Sequence, residues 1–136
     1  MPTASAILET ALYAADLDAC EVFYREVFGL AVVSKVSGRH VFLRCGAQML
    51  LIFNPDATSQ SNGPIPAHGG YGPGHVCFSA RDGAELAAWR DHFAGLGVAI
   101  EREHVWDGSG ARSIYLRDPA GNSVEVAERR LWGEGF

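Results

Sequence analysis

The sequence predicts an α+β fold: two tandem βαβββ modules whose sheets wrap a central cavity. Three observations carry the prediction. Short runs of alternating apolar and polar residues flank two stretches with helical periodicity. A Gly/Pro/Ser/Asn-rich connection, "NPDATSQSNGPIPAHGGYGPG", divides the chain near its middle. The two halves also share a register: Glu9 and His75, Asp16 and Asp82, Phe23 and Trp89, Gly29 and Gly95, and Leu30 and Leu96 are each 66 residues apart. One helix covers only one face of a sheet, so each module needs the other. The expected organisation is one domain over residues 1–136. Module one lies at about 5–54, a connecting loop at 55–72, module two at about 73–128 and a tail at 129–136.

In the first half, residues 6–14 alternate, with Leu8, Thr10 and Leu12 on one face and Glu9, Ala11 and Tyr13 on the other. Asp16 or Asp18 caps a helix whose inward stripe is Cys20, Phe23, Tyr24 and Val27, and Gly29 stops it. "LAVVSKV", "HVFLRC" and "AQMLLIF" follow as strands, broken at Ser37-Gly38 and Cys45-Gly46. The connection 54–74 is a linker, or a loop that folds over the cavity through His68.

In the second half "HVCFSA" opens as a strand, and Asp82 with Glu85 forms a D-x-x-E capping box. The helix behind it turns Leu86, Trp89 and Phe93 inward and stops at Gly95. "VAIEREHV", "RSIYLR" and "SVEVAE" complete the second trio of strands. The tail "RRLWGEGF" carries Trp132, which either docks on its own domain or meets a partner subunit.

Composition excludes several classes. The chain is 48% hydrophobic and 20% charged, enough for a core. Net charge is −5 and the basic residues are scattered, so nucleic acid is not an expected partner. No apolar run has the length of a membrane span, and the start lacks the pattern of an export signal. Three widely spaced cysteines without a CxxC read as buried small apolar residues in a reducing compartment, the cytoplasm. His40, His92 and His104 read as surface or hydrogen-bonded histidines.

Alternation then places the candidate site. In the second half Val76, Phe78, Ile114, Leu116, Val124 and Val126 face the helix. The opposite parity carries His75, Cys77 and Ser79, then Ser113, Tyr115 and Arg117, then Ser123, Glu125 and Ala127. With Glu9 from the first half, two carboxylates and an imidazole are aimed at one polar concave surface. Two such carboxylates repel unless a proton or cation lies between them. A divalent ion held by Glu9, His75 and Glu125 resolves the conflict. The alternative is a hydrogen-bonded strand-start histidine beside glutamates that meet water.

Three segments, "ALYAADLDACEVFYREVFGL", "GPGHVCFSA" and "SIYLRDPAGNSVEV", resemble the vicinal oxygen chelate superfamily: glyoxalase I, bleomycin-resistance proteins, fosfomycin-resistance enzymes and extradiol dioxygenases. The resemblance covers residues 6 to 128. It implies the paired βαβββ fold, with metal ligands on the first and last strands of the modules. His75 and Glu125 match two of those ligands. Glu9 stands where many members have His, and Leu51 falls where four-ligand members carry Glu. The resemblance implies one divalent ion, Zn, Ni, Mn, Mg or Fe, and the harder oxygen donors favour Mn, Mg, Zn or Ni.

The leading expectation is a glyoxalase-like, metal-dependent lyase, isomerase or transferase acting on a small oxygen-bearing substrate, with no general base assigned. A non-catalytic protein that sequesters a small molecule, as in bleomycin resistance, is the alternative, and an extradiol dioxygenase is third. Tyr13, Arg112, Ser113 and Tyr115 are the expected substrate contacts, with Arg112 as an anion clamp. A homodimer is the expected assembly.

Overall fold

The computed structural model describes residues 1–60 and 62–136; Ser61, inside the connection read above as a loop, lies outside the described residues. The chain forms two compact units, Met1–Pro73 and Gly74–Phe136. Each has one four-stranded sheet and a covering helix, the α+β pattern expected of each module.

The first unit runs β1 (Glu9–Tyr13), α1 (Leu17–Phe28), β2 (Ala31–Val36), β3 (His40–Cys45), β4 (Gln48–Phe53) and a short α2 (Pro55–Thr58). Its sheet order is β1-β4-β3-β2, with β1 parallel to β4 and the remaining neighbours antiparallel. Asp16 caps α1 by accepting from the Ala19 N–H at 3.0 Å. Gly29 ends it with φ 68, a conformation glycine adopts without a Cβ penalty. Leu17, Cys20, Tyr24, Val27 and Phe28 are the buried helix residues. They meet the face of the sheet that carries Leu12, Leu50, Ile52, Val41 and Leu43.

The strand expected at 6–14 begins only at Glu9, and Leu8 is 73% exposed. The connection is also less irregular than its composition implies. Asn54 caps α2 by accepting from the Asp56 N–H, Pro55 occupies the first turn, and the Thr58 carbonyl accepts from the His68 N–H at 3.0 Å. The Tyr13 hydroxyl meets His68 Nδ1 at 2.7 Å, and His68 packs edge-on against Phe53. His68 is thus fastened to its own unit.

The second unit runs β5 (His75–Ala80), α3 (Gly83–Gly95), β6 (Arg102–Val105), β7 (Arg112–Arg117), β8 (Ser123–Glu128) and a 3-10 turn (Arg129–Trp132). Its order β5-β8-β7-β6, with β5 parallel to β8, repeats the first. Asp82 caps α3 through the Glu85 N–H, and Glu85 reaches back to the Arg81 N–H. Leu86 and Phe93 are buried under α3, whereas Trp89 is only half-buried.

Helix α3 ends at Gly95 as expected, and Gly97 beyond it is left-handed at φ 69. Two expectations are corrected here. The strand expected at 98–105 shortens to Arg102–Val105. Cys77 is exposed, while Cys20 is buried and Cys45 intermediate, and all three are free thiols. Trp132 is 77% exposed, so the tail does not bury it. No helix among the described residues is long and apolar enough to cross a membrane.

Candidate functional site

The turn that follows β7 sets the site. Within Asp118-Pro119-Ala120-Gly121-Asn122, Asp118 Oδ1 accepts from the N–H groups of Ala120 and Asn122, both at 2.9 Å. The Asn122 amide donates to Asp118 Oδ2, and its carbonyl oxygen accepts from the Gly74 N–H at 2.7 Å. The Ser123 N–H returns a bond to the Gly74 carbonyl. Both Asp118 and Asn122 are buried, so this double latch is shielded from competing water. It fixes the parallel register in which His75 lies beside Ser123 and Cys77 beside Glu125.

That register brings the imidazole to the carboxylate. His75 Nε2 is 3.2 Å from Glu125 Oε2, and His75 Nδ1 is 3.2 Å from Ser123 Oγ. The glutamate set between two valines is therefore not solvent-facing: Glu125 is 6% exposed. Its Oε1 is buried with no hydrogen-bond partner among the described residues. A carboxylate oxygen held dry and unpaired is costly, and a bound water, ion or substrate group would satisfy it. The Tyr115 ring stacks on His75 with centroids 6.4 Å apart. Desolvation first, then the nearby Glu125 charge, pushes the Tyr115 phenol up to about 12, so it stays protonated. Although Cys77 as a residue is exposed, partial desolvation of its thiol and the neighbouring Glu125 charge push it up to about 12, which removes it as a thiolate.

The same face continues onto β6. Arg102 lies opposite Tyr115 and His104 opposite Ser113. With Glu101, Trp106, Tyr115, Arg117 and Ser123 they line a cavity of about 560 Å³. Trp106 donates its indole N–H to Ser113 Oγ at 2.9 Å, and Ser113 is 1% exposed. Alternation placed Ser113 and Tyr115 on this face, but Trp106 and Arg102 went unremarked. The β6–β7 register that adds them depends on a turn whose geometry the residue pattern does not specify.

Arg112 has the opposite parity. Its backbone N–H donates to Glu128 Oε2 at 2.7 Å, its Nε lies 3.6 Å from the same oxygen, and its guanidinium packs against Gly83 at the start of α3. It sits on the helix side of the sheet, away from His75 and Tyr115.

In the first unit, Glu9 opens β1 opposite Met49 and is exposed. Ala11 and Tyr13 share its face, and Leu51, opposite Ala11, is 7% exposed. Among the described residues no group of three or more His, Cys, Asp or Glu side chains is gathered to hold a metal ion. His75 and Glu125 form a pair. One imidazole and one carboxylate with an unpartnered oxygen suit a borderline or hard divalent cation, so the residues present fit half of a coordination sphere.

Comparison with known proteins agrees with this architecture. Residues 6–126 match the family model of the Glyoxalase/Bleomycin resistance protein/Dioxygenase superfamily. A solved lactoylglutathione lyase from Agrobacterium tumefaciens is 54% identical, with a TM-score of 0.93, covering 97% of this chain and 99% of that one. A glyoxalase/bleomycin resistance protein/dioxygenase from Nocardioides is 19% identical at a TM-score of 0.75, covering 100% and 89%. A possible glyoxalase from Bacillus cereus is 18% identical at 0.65, covering 91% and 99%. These last two share the fold. No curated protein sequence matches.

Proposed function

The chain belongs to the glyoxalase/bleomycin resistance protein/dioxygenase superfamily, and from that premise we propose that it is a glyoxalase-like, divalent-metal-dependent enzyme acting on a small oxygen-bearing substrate. The observation that carries the reading is the dry, unpartnered Glu125 Oε1 beside the His75 imidazole. The proposed ligands are His75, Glu125 and Glu9. Glu9 opens the first strand of its unit as His75 opens the first strand of the other. When bound, a divalent ion supplies Lewis-acid polarisation of a substrate oxygen.

The chain's own groups do the rest. Ser123 bonds one imidazole nitrogen of His75 and leaves the other directed at Glu125, which orients a ligand as an outer partner does. Tyr115 keeps its proton and can donate to a substrate oxygen by exchanging its side-chain bond to Glu125. Ser113 is already engaged by Trp106 and Arg112 by Glu128, so the proposal rests on Tyr115 rather than on them. Tyr13, held by His68, remains the proposed contact from the first unit. The homodimer implied by the resemblance is kept as part of the proposal, supported by the exposed Trp132.

The lyase named above, at 54% identity, supports lyase chemistry and makes lactoylglutathione the first compound to assay. The deciding measurement is calorimetric titration of chelator-treated protein with Zn, Ni, Mn, Mg and Fe(II), alongside Glu125→Ala. One equivalent bound by the parent and lost in the variant is expected. No affinity in either ends the reading. In that case sequestration of a small molecule takes its place, a role favoured by the lack of a third gathered donor among the described residues.

A further inference from the structure

The cavity of about 560 Å³ on the face of the second sheet opposite α3 holds an uneven set of groups. Its walls are rings. His104 and Trp106 meet edge to face with centroids 4.6 Å apart, and Tyr115 separates the cavity from His75. The Trp106 indole N–H is spent on Ser113, so Trp106 offers the cavity a ring and no donor.

Two guanidinium groups lie at the rim, and they differ. Arg117 is saturated: its Nε and Nη2 donate to the two oxygens of Glu101 at 2.7 and 3.1 Å, and its Nη1 donates to the Gly121 carbonyl at 3.1 Å. Arg102, facing Tyr115 across the β6–β7 pair, has no hydrogen-bond or ion-pair partner among the described residues; it acts on Glu101 through the field, helping hold that carboxyl below its ordinary value. A guanidinium fork beside flat aromatic walls matches a planar oxyanion on an apolar body.

We propose that this cavity binds a small planar carboxylate, with its apolar body against Trp106 and Tyr115 and its anionic end on Arg102. The inference deepens the proposed function, and rests on it only for the claim that the bound molecule is the substrate. Arg102 is then the specificity-determining contact: neutral molecules of the same shape bind the walls without it.

The test uses full-length 15N-labelled protein in chelator, with benzoate and benzamide as charged and neutral probes of one shape. Binding is read at the Trp106 indole N–H resonance, assigned by its loss in Trp106→Phe. Benzoate is expected to bind about two- to fivefold more tightly than benzamide, the modest margin of an exposed charge contact. Arg102→Gln should erase the difference. Arg102 is exposed, so its variant keeps the fold, checked by an unchanged thermal midpoint. Equal binding of the two probes, or a margin that survives Arg102→Gln, overturns the proposal. Repeating the benzoate titration in Glu125→Ala separates the two readings. Loss of metal affinity there with benzoate retained leaves this site intact, while absence of benzoate binding in a metal-competent parent refutes this site alone.

Discussion

A carboxylate that is 6% exposed, with one oxygen 3.2 Å from an imidazole and the other without a partner among the described residues, is expensive to keep. An unsatisfied buried polar group costs roughly 1–3 kcal/mol. Glu125→Met, which keeps the shape and removes the charge, should therefore raise the thermal midpoint in chelator by about 3–5 °C while abolishing metal uptake. A fall in the chelated midpoint would refute that account of Oε1. His40 shows the opposite economy, a buried polar group fully satisfied. Arg39 Nη1 donates to its Nδ1 at 2.7 Å, so the ring proton sits on Nε2, 3.3 Å from Ser34 Oγ, and Phe42 stacks on the ring. Burial first, then the Arg39 charge, lowers the His40 pKa from its ordinary 6.5. A lowered folded-state value means the native chain binds this proton less readily than the unfolded one. The stabilisation is complete well above pH 6.5 and is lost as pH falls below it, through the lowered value. Urea midpoints between pH 7.5 and 5 should fall less steeply for His40→Gln than for the parent.

At the scale of elements, the two glycines near the end of α3 make opposite forecasts. Gly95 lies within the helix, with open space where a Cβ would go, so Gly95→Ala should stabilise by about 0.5–1 kcal/mol. Gly97 has φ 69, and Gly97→Ala should destabilise by about 1 kcal/mol. Urea unfolding of the two variants checks both signs. The same helix shows how much the residue pattern reveals. Caps, buried stripes and the strands β3, β5, β7 and β8 were legible, because period and capping chemistry act locally. The left-handed turn at Gly97, two residues past the helix end, was not, since it depends on where the chain turns back toward the sheet. Helix α2 was obscured by its neighbours' composition, although Asn54-Pro55 carries a cap and a first-turn proline. Parity alone placed His75, Tyr115 and Glu125 on one face. Arg102 and Trp106 escaped because the turn closed by the Trp106 N–H to the Ala111 carbonyl sets the antiparallel register of β6 on β7.

Across the whole molecule, two units repeat one strand order, and the proposed ligands include the residue that opens the first strand of each. Glu9 is exposed, so Glu9→Gln should change chelated stability by less than about 0.5 kcal/mol while weakening metal affinity at least tenfold. An unchanged titration would remove Glu9 from the ligand set and leave His75 and Glu125 in place. Metal at a hundred times its dissociation constant should add about 2.7 kcal/mol to the parent's unfolding free energy, an increment the Glu125 variant lacks. The Asn122 contact reaches the polymer at Gly74, one residue ahead of His75, and asks nothing of the imidazole, whose side chain is 50% exposed. Position 75 is in effect a socket: its aim is inherited from the backbone, and its reactivity from whatever is plugged in. The equivalent opening in the other unit already holds a carboxylate. Replacing the side chain at 75 should therefore change what the site can hold while the latch, and the register it sets, stay in place.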